Sequence, residues 1–328
     1  MNRLWLILML CWMPESAFGK ALVISGPTMG TTYNVTIDDP VAGLEKNTLK
    51  LKIDAKLGAI NQQMSTYIAT SEISAFNKFD SLEWFPVSSE FAHVVQRSLE
   101  IGKITSGSFD LTIGALVNLW GFGPQARPIK KPSDQVISAA RNKMGYEKIH
   151  VRLSPPALKK DVIGIPIDLS GIAKGYAVDA IAELLVDLGS KHFMVEIGGE
   201  IRAHGKKLNG QPWQIGVEKP DAKRGVVQKI LSLSNQSMAT SGDYRNFYEE
   251  GGVRFSHLLD PTTGKPILHS VASVTVLAKD CATADAYATA FMVLGYEKAQ
   301  KIVEDQKLTA VFLMRTKSGF EEKITGKL

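Results

Sequence analysis

Asp285 and Thr289 stand four residues apart in the alanine-rich run CATADAYATA, Cys281–Ala290. Alanine favours helix and residues four apart share a face, so the spacing predicts a carboxylate and a hydroxyl side by side. Small neighbours (Ala282, Ala284, Ala286 and Ala288) let something approach the backbone closely. The plain alternative is an Asp near a helix N-terminus and a Thr bonded back to a carbonyl. In IDLSGIAKGYAVD, Asp168 ends an apolar run, Ser170-Gly171 turn the chain, and a helix with free N–H groups suited to an anion begins. Lys174 falls in its first turn, where a cation opposes the dipole unless an anion or water faces it. His257, in SHLLDPTTGKPI, precedes strong turn formers; it is a candidate acid/base, or else a structural histidine. The glycine-dense SGSFDLTIGALVNLWGFG carries Asp110, Asn118 and Trp120, and reads as a pocket for a flat ligand or as a bend around a core tryptophan. Tyr67 in STY can stack on an aromatic ligand or simply pack. ATSGDYRNF adds Ser241, Asp243 and Arg245 on an expected loop.

Other chemistries leave no trace. The six histidines and two cysteines show no zinc spacing, and neither a Walker loop nor a G-x-S-x-G elbow is present. Gly171 and Gly175 do not make the three-glycine dinucleotide fingerprint. Oxygen donors dominate, and they suit Mg²⁺, which takes few protein ligands plus substrate phosphates. The net charge of +5 is mild and its basic residues are dispersed, so no nucleic-acid stripe forms.

The elements that must position these groups read as a mixed α/β chain with a substantially antiparallel sheet and packed helices. TTYNVTI alternates, placing Tyr33, Val35 and Ile37 on one strand face. Helices are expected over 44–64 (Ile53, Leu57, Ile60 and Met64 inward), 88–104 (Phe91, Val95 and Leu99 inward) and 133–144. VIGIPIDLS reads as a strand. GIAKGYAVDAIAELLVDLG reads as a helix with Tyr176, Ala180, Leu184 and Leu188 inward. FMVEIGGE is a strand ending in a glycine pair, and VASVTVLA and LTAVFLM are further strands around the helix YEKAQKIVED. With 328 residues, 45% of them hydrophobic, the chain can bury a large core.

Arg3, the apolar run Leu4–Met13 and the small residues Ala17 and Gly19 form a secretory leader over 1–19, leaving one catalytic domain over 20–328. The expected location is periplasmic and soluble; a lipid anchor on Cys11 is disfavoured by the bulky Leu10 before it. Cleavage leaves Cys281 alone, so no internal disulfide is expected; it reads as a small buried residue at a helix start.

The ordered set TMGTTY, STY, SFDLTIGALVNLWGFG, IDLSGIAKGYAVD, EIGGEIRAHG, ATSGDYRNF, SHLLDPTTGKP and ATADAYATAFMVLG resembles the ApbE family of FAD:protein FMN transferases, from about Gly26 to the last strands. The resemblance implies a T-fold-like domain that takes FAD as substrate with Mg²⁺. It implies transfer of FMN to a Thr or Ser hydroxyl of a target protein, with release of AMP. By position it implies FAD contacts at Met29, Tyr67, Ser108, Phe109, Asp110, Asp168, Lys174 and Leu259, and metal ligands at Gly171 (carbonyl), Asp285 and Thr289. His257 is the first choice for a base, with Asp285 contributing. Implied targets are exported flavoproteins, such as subunits of Na⁺-pumping NADH:quinone oxidoreductase or Rnf-type complexes, and no nucleic acid. The competing readings are an FAD pyrophosphatase on the same scaffold and a flavin-binding module without chemistry.

Overall fold

The computed structural model describes residues 21–125, 131–220, 226–244, 246–250 and 253–328. The leader 1–19, Cys11 and Arg245 lie outside the described residues. No described helix is long and apolar enough to cross a membrane.

The first half of the chain runs β1 (Leu22–Thr28), β2 (Thr31–Ile37), α1 (Lys46–Met64), α2 (Glu72–Lys78), β3 (Phe85–Pro86), α3 (Ser89–Ile104), α4 (Gly114–Leu119) and α5 (Asp134–Lys143). There follow β4 (Ile149–Leu153), β5 (Pro156–Lys160), α6 (Ala173–Asp187), β6 (Phe193–Ile197), β7 (Glu200–His204), β8 (Trp213–Glu218) and β9 (Val227–Leu233). The last part is β10 (Gln236–Gly242), β11 (Phe247–Glu250), β12 (Val253–Ser256), β13 (Leu259–Asp260), β14 (Lys265–Pro266), β15 (Val271–Ala278), α7 (Cys281–Leu294), α8 (Tyr296–Asp305), β16 (Thr309–Thr316) and β17 (Gly319–Thr325).

Eight strands make one sheet in the order β1-β2-β6-β7-β10-β15-β16-β17, and every neighbouring pair is antiparallel. Alternation sorts its two faces. Phe193, Val195 and Ile197 of β6 join the main core with Ile53 and Ile60 of α1, Ala177 and Ile181 of α6, and Ala284 and Phe291 of α7. Met194 turns the other way, to a second core where Ile201, Met238 and Leu277 meet Trp213, Ile215 and Leu231 of the β8–β9 hairpin. A third, smaller core joins Leu116 and Trp120 to Ile137, Phe255 and Leu259. Trp120 is 1% exposed and donates its indole N–H to the Gly264 carbonyl at 2.8 Å, so it is a packing residue.

Helix α7 is the central element. Ten of its 14 residues are buried, whereas α5, on the surface, buries only Ile137. A helix apolar on nearly all sides has to be enclosed, and α7 lies between α6 and strands β10 and β15. Cys281 is buried at its start, as expected.

Four expectations need correction. VIGIPIDLS forms no strand. Pro166 has no N–H to offer a ladder, and Ile167 is instead held at both backbone groups by the Asn77 amide, at 2.8 and 2.9 Å. On α6 the fully buried stripe is Ala177, Val178, Ile181 and Leu185; Tyr176, Ala180, Leu184 and Leu188 are half-buried at its margin. Leu99 of α3 is likewise half-buried. Ser241 lies within β10 rather than on a loop, paired with Val274.

Candidate active site

A cleft of about 700 Å³ opens where the N-terminal end of α6 and the Asp285, Thr289 and Val293 face of α7 meet β7, β10 and the segment between β12 and β13. Ten of the twelve residues singled out in the sequence line it: Ser108, Phe109, Asp110, Asp168, Gly171, Lys174, His257, Leu259, Asp285 and Thr289. Met29 and Tyr67 are not among its lining. Met29 occupies the turn between β1 and β2 with a positive φ of 49°, half-buried, next to Thr31, which does line the cleft. Tyr67 is 69% exposed and donates its hydroxyl to the Phe122 carbonyl at 3.2 Å. Burial of part of the ring, and then the Asp168 carboxylate, push its phenol above the ordinary value.

At the closed end of the cleft, α6 and α7 cap each other. The Asp285 carboxylate, 3% exposed, accepts the Gly175 N–H of α6 at 3.0 Å. In return Asp179 of α6 accepts the Cys281 and Ala282 N–H groups of α7 at 2.9 and 2.8 Å. Asp280 takes the next donor, Thr283 N–H, at 2.8 Å. The first three N–H groups of α7 are thus all bonded to carboxylates, which satisfies orphan donors and complements the dipole. Such an approach needs a glycine: a Cβ on Gly175 would lie 2.3 Å from the Cys281 carbonyl oxygen. Arg202 of β7 pairs with Asp179 at 3.0 Å and with Glu183 at 2.7 Å. Burial outweighs the two N–H donors and Arg202, and the Asp179 carboxyl is pushed up to about 6.

The Thr289 hydroxyl lies one turn beyond Asp285, 3.2 Å from the Ser241 hydroxyl. Gly171 lies beside it: a Cβ there would be 3.3 Å from Thr289 Oγ1. One carboxylate, two hydroxyls and a backbone carbonyl are hard oxygen donors, the set a cation such as Mg²⁺ takes alongside substrate oxygens and water. Among the described residues no group of three or more His, Cys, Asp or Glu side chains is placed to hold a metal. Lys174 sits close by, its ammonium 2.6 Å from Glu200 Oε1 and 3.9 Å from Asp285 Oδ1. Burial alone would lower its pKa; the Asp285 and then the Glu200 carboxylate outweigh that and hold it above the usual lysine value.

Two other predicted contacts carry structural duties as well. Asp110 is buried, with Oδ1 accepting the Thr112 N–H and hydroxyl at 2.8 and 2.7 Å and Oδ2 accepting the Tyr146 N–H at 3.2 Å. Asp168 Oδ1 accepts the Ser170 N–H at 2.7 Å, and its own N–H bonds the Leu111 carbonyl at 2.7 Å. These bonds join the two segments side by side in the cleft wall.

At His257, away from Asp285, the cleft borders an aromatic cluster. Phe122 stacks on Tyr248 with centroids 5.5 Å apart and meets the His257 ring edge-on at 6.2 Å. The Asn246 carbonyl accepts both the backbone N–H of His257, at 3.0 Å, and its ring Nδ1, at 2.9 Å. A carbonyl can only accept, so Nδ1 carries the hydrogen and Nε2 keeps its lone pair. Burial, and the Lys174 charge to a lesser degree, lower the His257 pKa against the opposing bond from Asn246, so the ring stays neutral below the ordinary histidine value. Asp243 holds the loop before Asn246 through a paired contact to both Arg315 nitrogens, at 2.8 and 2.6 Å.

Glu200, Asp179 and Arg202 escaped the sequence reading. Glu200 stands just after the glycine pair that ends β6, a signal for a turn but not for a buried carboxylate. Asp179 lies on a helix stretch that reads as ordinary polar spacing.

Known proteins resemble this chain over most of its length. A family model described as the ApbE family matches residues 29–312. An FAD:protein FMN transferase from Vibrio cholerae is 45% identical over 299 residues, covering 91% of this chain and 89% of that protein. One from Haemophilus influenzae is 42% identical over 309 residues, covering 93% and 89%. The solved flavin transferase ApbE of Vibrio cholerae superposes with a TM-score of 0.86 at 43% identity, over 93% of this chain and 97% of that one. The apo flavinyl transferase ApbE of Pseudomonas stutzeri gives 0.85 at 39%, over 93% and 95%.

Proposed function

Because the chain belongs to the ApbE family, we propose that its cleft takes FAD, holds Mg²⁺ at Asp285, Thr289 and the Gly171 carbonyl, and transfers FMN to a Thr or Ser hydroxyl of a target protein. The observation that carries this reading is that one cleft contains both an imidazole nitrogen with a free lone pair and the oxygen donors around the buried Asp285.

Pyrophosphate repels an incoming oxygen because its own oxygens are negative; a bound Mg²⁺ supplies the positive charge that offsets this and the charge growing on the leaving phosphate. The protein's part is positioning and proton transfer. Lys174 adds positive charge near the phosphates, and Asp168 and Ser108 face the nucleotide. The Tyr67 ring and Leu259 lie towards the flavin. The target hydroxyl attacks the FMN-side phosphorus, and its proton passes to His257 Nε2. The phosphorus–oxygen bond to the AMP phosphate breaks, and AMP leaves. A neutral imidazole is the form this step needs, and burial keeps His257 in it.

The leader pattern over 1–19 supports export to the periplasm in soluble form, where exported flavoproteins such as Na⁺-pumping NADH:quinone oxidoreductase or Rnf-type subunits would be the acceptors. Incubation of the chain with FAD and Mg²⁺, with and without such an acceptor, tests the reading by the AMP formed. Acceptor-dependent AMP is expected. AMP at the same rate with no acceptor would make the protein a pyrophosphatase, and no AMP in either case would leave only binding.

A further inference from the structure

Lys174 faces two carboxylates, and only one of them is a candidate metal ligand. Its ammonium is 2.6 Å from Glu200 Oε1 and 3.9 Å from Asp285 Oδ1. The other Asp285 oxygen is already bonded to the Gly175 N–H. An ammonium that closed on Asp285 would therefore occupy the oxygen left for a cation.

Glu200 is an expensive residue to keep. It is 2% exposed, and its second oxygen is buried with no hydrogen-bond partner among the described residues. A buried carboxylate left half-satisfied calls for a reason. It reaches Lys174 because Gly198 and Gly199 turn the chain with φ of 65° and 109°, returning β7 beneath the start of α6. A Cβ on Gly198 would lie 3.4 Å from Glu200 Oε2 and 3.5 Å from Lys174 Cδ, so the turn's backbone covers the pair.

The geometry points to Glu200 as a positioning residue that draws Lys174 away from Asp285 and so keeps the Asp285 oxygen open to the divalent cation. Glu200 does not touch the cation. It sets which carboxylate the lysine neutralises, and Lys174 stays at the cleft as a positive charge for the substrate phosphates. The inference rests on the metal assignment proposed above.

Binding of Mn²⁺ alone to the full mature chain, without FAD, tests it by electron paramagnetic resonance of the free ion. Asp285→Asn should abolish binding; if it does not, the metal assignment itself fails. Glu200→Gln should weaken Mn²⁺ binding about ten-fold, because the freed lysine pairs with Asp285. Lys174→Met should tighten it. The double variant K174M/E200Q should bind at least as well as the wild type, since no lysine remains to divert. A double variant as weak as E200Q would make Glu200 a direct ligand and overturn the inference, as would an E200Q chain that binds normally. Should E200Q alone not fold, the double variant against K174M decides: binding within about three-fold supports diversion, and a larger loss refutes it.

Discussion

The two ends of the cleft are built on opposite plans. At the closed end, α6 and α7 approach over glycine and alanine, and four carboxylates (Asp179, Asp280, Asp285 and Glu200) meet backbone N–H groups and Lys174. At the open end, side chains carry the contacts: Tyr67, Phe122, Tyr248 and His257 stand on short hairpins and turns around a small core of their own. Charge is held by backbone, where it cannot drift; ring surfaces are held by other rings, which can adjust. That division suits the proposed reaction, which would hold a cation and phosphate at one end and admit a flavin and a protein chain at the other.

If the division is right, damage at the closed end should abolish chemistry more completely than damage at the open end. Asp285→Ala should remove several kcal/mol of charge stabilisation, a loss on the order of 10³–10⁵-fold in transfer, read from flavin fluorescence on the acceptor in a denaturing gel. His257→Ala should lower turnover by about 10²–10⁴-fold and alter FAD affinity little. A large loss of affinity with turnover intact would make His257 a binding residue. The acid limb of the wild-type rate profile should also fall below the ordinary histidine pKa. Burial disfavours the charged ring, so the neutral base survives to lower pH; the limb should vanish in the variant.

Asp179→Ala sharpens the comparison, because Asp179 touches neither phosphate nor flavin. Losing the cap on the first two N–H groups of α7 should weaken Mn²⁺ binding by about 10–100-fold, as for other residues that orient metal ligands. Unchanged binding would show that α7 holds its place without the cap. The smallest effect is expected from Gly175→Ala. Its Cβ meets the Cys281 carbonyl, and the helices must part at a cost of about 1–3 kcal/mol, measured by urea unfolding.

How far the sequence reveals this depends on the range of the interactions. Local periodicity exposes β2, α1, α3 and α7, and the four-residue step from Asp285 to Thr289 needs only one helix to be read. The stretch Val162–Ser170 misleads because its apolar run is satisfied by Asn77, 90 residues away in sequence, rather than by a neighbouring strand. Asp179 meets Cys281 across 102 residues, and no local pattern encodes that pairing. Glu200 is hidden for a different reason: a charged residue after a glycine turn is usually solvated, and only the return of β7 under α6 buries it. His257 was legible as a candidate, but the hydrogen on Nδ1 follows from the Asn246 carbonyl, which the fold alone brings to it.

The central claim is best tested by the mass of an exported flavoprotein acceptor after incubation with this chain, FAD and titrated Mg²⁺. The account predicts one added FMN per acceptor, matched by AMP release, both suppressed by a chelator and by Asp285→Ala. An acceptor that gains FMN equally well from the chelated or the D285A enzyme would contradict it.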